Sequence, residues 1–285
     1  MNRGRTSYRL LVSTLASFLH PEGFTRPPLT AVLREGSVVS ETGRYVARTV
    51  GDCRGRRSQG RSAVAREEHP VVLVPGFMAG DSSLSLLARF LRQQGYRTYR
   101  SRITANVGCT VSASALLEQR SESVALRRGA RVLVVGHSLG GMLARGLAVR
   151  RPDLIAGIVT LGSPMMAPAA HHASLTRSVE MLIRLGRAGI PGLMSEDCVA
   201  GACARTSFDE AREPMPAGVD FTTIYSRRDG IVDWRACIDP LARAVEVTAS
   251  HTGMAFDPRV ADAVLAALRA TARPSVLEVD GGVVA

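Results

Sequence analysis

Residues 134–142 read VVGHSLGGM. An apolar run meets Gly136, Ser138 stands two residues on, and Gly140 and Gly141 follow. Two local structures fit: an ordinary strand, tight turn and helix, or a strand turning so sharply that a nucleophile is exposed. Glycine on both flanks of the serine removes Cβ clashes from such a turn, and Gly141 lets the next helix pack closely on neighbouring strands. The pattern G-x-S-x-G is short enough to recur by chance. Its reading rests on whether the rest of the chain supplies strands, helices, a base, an acid and oxyanion donors in a consistent order.

Outward from this stretch the chain alternates. VVLV at 71–74 reads as a buried strand, 83–94 has helical spacing in Leu84, Leu86, Leu87, Phe90 and Leu91, and 96–103 alternates as a strand. A helix over 112–128, a strand over 131–135, a helix over 138–151 and a strand over 154–161 follow. After an interruption come strands over 219–225 and 244–248 and a helix over 258–272. Strands alternating with helices of 10–15 residues predict an α/β fold, with a mostly parallel sheet, right-handed crossovers and helices on both faces. The interruption, 165–216, holds one strong helix over 174–187 and much Gly, Pro, Cys and Met. It reads as a cap over the sheet. Met165, Met166, Met181, Leu182, Ile183, Leu185, Ile190, Leu193 and Met194 give it much flexible apolar surface.

Residues 1–68 differ in character and read as a basic extension and linker. Residues 69–275 hold the alternating domain, and 276–285 read as a tail. MNRGRTSYR precedes a short apolar stretch, 10–19, that is broken by Ser13, Thr14 and Ser17 and has no clean small-x-small site after it. Residues 30–50 carry apolar positions near helical spacing, and the Arg/Gly/Ser-rich 51–68 reads as a linker. Twelve Arg against six acidic residues in 1–70 supply about half of the formal charge of +11. All 36 basic side chains are Arg. No dense basic cluster with interleaved aromatics and no zinc or helix-turn-helix pattern is present, which argues against nucleic acid as partner. A basic segment with a short apolar face instead fits peripheral association with anionic lipid. The expectation is a cytoplasmic or peripheral-membrane location rather than secretion. A loosely packed basic extension is the competing reading. No run of 18 apolar residues indicates a spanning helix. The five Cys form no CxxC pair, and one bridge among Cys198, Cys203 and Cys237 competes with buried free thiols.

Ser138 needs a base. His137 lies inside the turn and should point away from the serine hydroxyl. His171 and His172 sit in the interruption, and His20 and His69 lie upstream. His251 follows the strand AVEVT in the loop ASHTGM, at the carboxyl end of a strand, where open α/β sheets gather their sites. The acid comes from FTTIYSRRDGIVDW. Asp229 directly follows a strand and is favoured over Asp233, for which a helix N-cap is the natural role. The oxyanion donors are expected to be the backbone N–H groups of Leu139, at the helix start, and Phe77, in the loop PGFMAG.

Taken together, VLVPGF, VVGHSLGG, VTLGSP, YSRRDGIVDW and ASHTGM resemble the α/β-hydrolase superfamily, near bacterial lipases and esterases, over about residues 70–272. The resemblance implies a cap inserted after the sixth core strand, Ser138 as nucleophile, Asp229 as acid, His251 as base, and Phe77 and Leu139 as oxyanion donors. Many relatives carry His-Gly where this chain has Pro75-Gly76, and many lipases place His and Gly where Met165-Met166-Ala167 follow Gly162-Ser163-Pro164. These departures bear on substrate preference. The expected activity is serine carboxylester hydrolysis of a small-molecule or lipid ester through an acyl-enzyme, with no cofactor and no metal. An acyltransferase with the same triad and a non-enzymatic binding module are the alternatives. Oligomeric state is not written in this sequence.

Overall fold

The structure, a computed structural model, describes residues 15–59 and 69–271. Six parallel strands form one sheet in the order β2-β1-β3-β4-β5-β6. They are β1 (Val71–Val74), β2 (Thr98–Arg100), β3 (Val132–His137), β4 (Ile155–Leu161), β5 (Asp220–Tyr225) and β6 (Arg243–Glu246). β3 lies between β1 and β4, with Val72 beside Val134 and Val135 beside Val159. Both faces of these strands are buried, which is why β1 and β3 are continuous apolar runs rather than alternating ones.

The pleat still sorts the side chains. Val71, Leu73, Leu133 and Val135 face one way, into a core with Leu87, Phe90 and Leu91 of one helix (Ser85–Gln93) and Val264 and Leu268 of another (Pro258–Thr271). Val72, Val74, Val132 and Val134 face the other way, against Leu117 and Val124 of a helix over Thr110–Arg128 and Leu143 and Leu147 of one over Leu139–Arg150. In chain order the described helices are α1 (Leu29–Val32), α2 (Val38–Gln59), α3 (Ser85–Gln93), α4 (Thr110–Arg128), α5 (Leu139–Arg150), α6 (Ala173–Arg187), α7 (Asp197–Ala200), α8 (Ala202–Glu210) and α9 (Pro258–Thr271). Thus α3 and α9 cover one face of the sheet, and α4 and α5 the other.

The joint between β3 and α5 is tight. A Cβ at Gly136 would collide with the backbone of Gly140 and Gly141, and one at Gly140 with the carbonyls of Val74 and Pro75. Between these glycines Ser138 is held at φ 52°, ψ −121°. Such a conformation costs a non-glycine residue about 1–3 kcal/mol. Burying one leucine side chain stabilises by about 1.5–3 kcal/mol. Leu133, Leu143 and Leu147 are all buried in this unit, so the packing sustains the strain.

The cap contains α6, α7 and α8 and leaves the sheet after β4, the fourth strand of the described sheet rather than the sixth. Among the described residues the free cysteines are Cys109, Cys198, Cys203 and Cys237; Cys109 Sγ lies 3.7 Å from Cys203 Sγ. No described helix is long and apolar enough to cross a membrane.

The N-terminal segment differs most from the sequence expectation. Instead of a separate extension, residues 15–59 lie along the domain. The Ala16 N–H donates to the Val199 carbonyl in the cap, and Leu19 accepts from the Ala169 N–H. Arg44 pairs with buried Asp257 at 2.8 Å and Arg48 with Asp262 at 2.9 Å, joining α2 to the start of α9. The helix α2 runs through half of the expected linker, to Gln59. The remaining linker residues 60–68, the basic residues 1–14 and the tail from 276 lie outside the described residues.

Candidate active site

Parallel strands open all their carboxyl ends at one edge of the sheet, so the loops after β1, β3, β4, β5 and β6 converge there. Ser138 follows β3 at this edge and is buried. Its own N–H donates to the Leu161 carbonyl at 2.8 Å, which locks the turn to the end of β4. The loop after β1 abuts it: a Cβ at Gly76 would lie 3.1 Å from Ser138 Cβ. That loop is held by Asn106, whose side-chain amide donates to the Pro75 carbonyl at 2.9 Å. The Asn106 backbone accepts from Met78 and donates to Ala79. Met78 is drawn into positive φ, 58°, beside Phe77. Among the described residues no group accepts a hydrogen bond from the N–H of Phe77 or of Leu139. Leu139 is the first residue of α5, whose N-cap Ser138 makes no side-chain cap bond, so this N–H is free at the positive end of a helix.

His251 and Asp229 meet at the same edge, beside Gly162 at the end of β4. His251 Nδ1 lies 2.7 Å from Asp229 Oδ2, and both side chains are almost fully buried. Asp229 Oδ1 accepts from the backbone N–H groups of Ile231 and Val232, both at 2.8 Å. A carboxylate fixed by two backbone donors cannot rotate away from the imidazole. Burial disfavours the imidazolium of His251, but the adjacent Asp229 carboxylate, with Glu35 behind it, outweighs burial and holds the His251 pKa above its ordinary value.

Asp233 does not reach His251. Its carboxylate caps the short 3-10 helix Trp234–Cys237 through the Arg235 N–H, pairs with the Arg235 guanidinium at 2.9 Å and accepts from the Thr25 N–H at 2.8 Å. The His137 ring is tied to the base loop, its Nε2 donating to the His251 carbonyl at 2.9 Å. Burial, then the neighbouring His251, pushes the His137 pKa down to about 4, so this ring is a neutral strut at pH 7.

A cavity of about 140 Å³ opens beside Ser138, Leu139 and Phe77. Leu175 and Val179 of α6, Met194, Val199 and Phe208 supply its apolar wall from the cap, and Leu15 and Leu19 close it from the N-terminal segment. Met194 is therefore a lining residue, as the sequence suggests. Met181, Leu185 and Ile190 point to solvent and do not line it. His171 also lines the cavity, with its pKa lowered to about 4 by burial. Among the described residues no group of three or more His, Cys, Asp or Glu side chains is placed to hold a metal ion.

Sequence reasoning missed three contributors: Asn106, the pair Leu15 and Leu19, and above all Glu35. Glu35 Oε1 accepts from the N–H of His251 at 2.9 Å and of Gly230 at 3.0 Å, and Oε2 accepts from Thr252 at 3.1 Å. In the stretch 30–50 nothing in the spacing separates this glutamate from one on a solvated helix face.

Residues 71–282 match the family model described as the alpha/beta hydrolase family. A triacylglycerol lipase of Vibrio cholerae is 28 % identical over 116 residues, 39 % of this chain. The matched stretch spans 36 % of that lipase's own length. The mature lipase BlEst2 of Bacillus licheniformis superposes with a TM-score of 0.55 at 14 % identity, over 74 % of this chain and 94 % of that one. A metagenomic carboxyl esterase gives 0.55 at 18 % identity, over 75 % and 79 %. At such identities the two structures speak for the fold alone.

Proposed function

The chain belongs to the alpha/beta hydrolase family, and from that premise we propose that it is a serine carboxylester hydrolase acting on apolar acyl esters. One observation carries the reading. A non-glycine residue, Ser138, is held at φ 52° at the mouth of an apolar cavity, at the sheet edge where His251 and Asp229 are paired.

The chemistry follows from the atoms. With Nδ1–H committed to Asp229, His251 presents the lone pair of Nε2 as general base. Ser138 Oγ attacks the ester carbonyl as its proton passes to Nε2. The carbonyl oxygen takes up the negative charge between the N–H groups of Phe77 and Leu139. Each such donor is worth about 3–4 kcal/mol in the transition state. The imidazolium then protonates the departing alcohol, leaving the acyl group on Ser138. Water, activated by the same nitrogen, attacks the acyl-enzyme and releases the acid. The acyl chain occupies the cavity walled by Leu15, Leu19, Val179, Met194 and Phe208. No step calls for a metal or a cofactor.

The test is a fluorophosphonate probe with p-nitrophenyl butyrate turnover. Wild-type protein should label on Ser138 and hydrolyse the ester. Ser138→Ala should do neither while retaining its circular-dichroism spectrum. Wild-type turnover by the alanine variant would end the assignment.

A further inference from the structure

We propose that Glu35 is a positioning residue for the triad: its one carboxylate ties the loop bearing Asp229 to the loop bearing His251 and sets their separation. The inference rests on the triad reading above and extends it to a segment that precedes the matched family region.

Three observations converge on Glu35. It lies in the 3-10 turn Leu33–Ser37, between α1 and α2. Oε1 is shared by the N–H of Gly230, adjacent to the acid, and the N–H of His251, the base itself, and Oε2 takes the N–H of Thr252. Three backbone donors from two loops on one carboxylate form a rigid bracket, since a hydrogen bond to an ionised acceptor is stronger than a neutral one. The seat is also shaped for it. A Cβ at Gly230 would collide with the Ala31 carbonyl, so the acid loop and the N-terminal segment touch backbone to backbone.

A second carboxylate extends the bracket. Glu41, the fourth residue of α2, is 1 % exposed. Its Oε1 accepts from the Ser250 N–H at 2.7 Å and Oε2 from the Ser250 hydroxyl at 2.6 Å. Ser250 in turn accepts from the Gly253 N–H. The base loop 250–253 is thus held through four of its N–H groups, directly or at one remove, by two glutamates of a segment more than 200 residues earlier.

Glu35 also acts through charge. The groups facing His251 are Asp229 at Nδ1, Glu35 at its backbone, and the neutral ring of His137, whose centroid is 5.0 Å away. Glu41 stands behind Ser250, with Arg44 4.0 Å away and Arg259 in its field. Cys237 lies in the field of Asp229. Of these, Asp229 and Glu35 are the groups that favour the imidazolium, which is the charged form of His251 in the transition state.

The experiment compares the full-length chain with Glu35→Gln and Glu35→Asp. The His251 imidazole is titrated by NMR, and kcat, KM and the acid limb of kcat/KM are measured on p-nitrophenyl butyrate, per site labelled by the probe. Glu35→Gln keeps the shape but loses the charge and sets an NH₂ against a backbone N–H. Its His251 pKa should fall, the acid limb should fall with it, and kcat should drop on the order of tenfold to a hundredfold while KM stays within about twofold. Glu35→Asp keeps the charge but is one methylene short. It should retain more of the pKa while still losing kcat. Glutamine and aspartate variants that fold less well, but match wild type in kcat per labelled site and in His251 pKa, would reduce Glu35 to a fold-stabilising residue and overturn the proposal. If wild-type protein neither labels nor hydrolyses, the esterase reading fails, and the NMR titration alone decides the placement of Glu35. If neither variant folds, amide exchange in wild-type protein decides. Protected N–H groups at Gly230, His251 and Thr252 support the bracket, and exchange at the rate of an open loop refutes it.

Discussion

Asp229→Asn alters the pair behind His251 by one charge and almost no volume, and the structure dictates how the amide must sit. Asp229 Oδ1 accepts from two backbone donors, Ile231 and Val232, while Oδ2 faces the single Nδ1 of His251. An asparagine has one oxygen to give. Turned toward His251, it would leave two buried N–H groups facing an NH₂, at about 1–3 kcal/mol each. Turned toward the loop, it sets its NH₂ against Nδ1. Nδ1 then becomes the acceptor, the ring proton moves to Nε2, and His251 can no longer take the proton of Ser138. The second arrangement wins. The cost of returning to the active tautomer, about 2–6 kcal/mol, corresponds to roughly 1.5–4 decades of rate. Loss of the carboxylate that stabilises the imidazolium adds to this, so kcat should fall on the order of 10³–10⁴. The His251 pKa is held up by Asp229, so in wild type activity should disappear as pH falls through a value above the ordinary 6.5. In the variant any residual acid limb should lie lower. The assay is burst and steady-state turnover of p-nitrophenyl butyrate between pH 5 and 9, with Asp233→Asn as the control. A Asp229→Asn variant within tenfold of wild type, or an Asp233→Asn variant equally impaired, would refute the reasoning.

Val179→Phe narrows the cavity from the cap side and should lower the laurate-to-butyrate rate ratio by about tenfold or more, given about 1–3 kcal/mol per methylene in such pockets. Met181→Phe, on an exposed site, should leave that ratio unchanged. Ser138→Gly relieves the positive-φ strain and should raise stability by about 1 kcal/mol, or roughly 2–4 °C in Tm, with activity lost; a lower Tm would mean that the elbow is not strained. Leu29, Leu33 and Val39 stand more than three-quarters exposed in the N-terminal segment, so we propose that these side chains meet anionic lipid. Replacing the three by Asp should abolish co-sedimentation with phosphatidylglycerol vesicles at low salt, and unchanged binding would remove that role.

The local sequence determined the sheet and the elbow. Short β-branched runs such as VVLV and VVGH can be buried on both faces only as central parallel strands, and glycines at 136 and 140 suit one kind of turn, so β1, β3 and Ser138 were legible from neighbours a few residues away. The meeting of His251 and Asp229 was legible too, because topology brings every strand's carboxyl end to one edge and both residues lie in the loops that follow β5 and β6. The length of the helix α2 was not legible, since its Arg/Gly/Ser-rich half has the composition of a linker. Nor were the roles of Leu15, Leu19, Asn106, Glu35 and Glu41. Their partners lie in distant loops, and their value comes from backbone N–H groups and apolar walls that have no sequence signature of their own. A glutamate on a helical stretch reads the same whether it meets water or the loop that carries His251. Only the tertiary structure, by laying residues 15–59 across the loops after β4, β5 and β6, decides which it is.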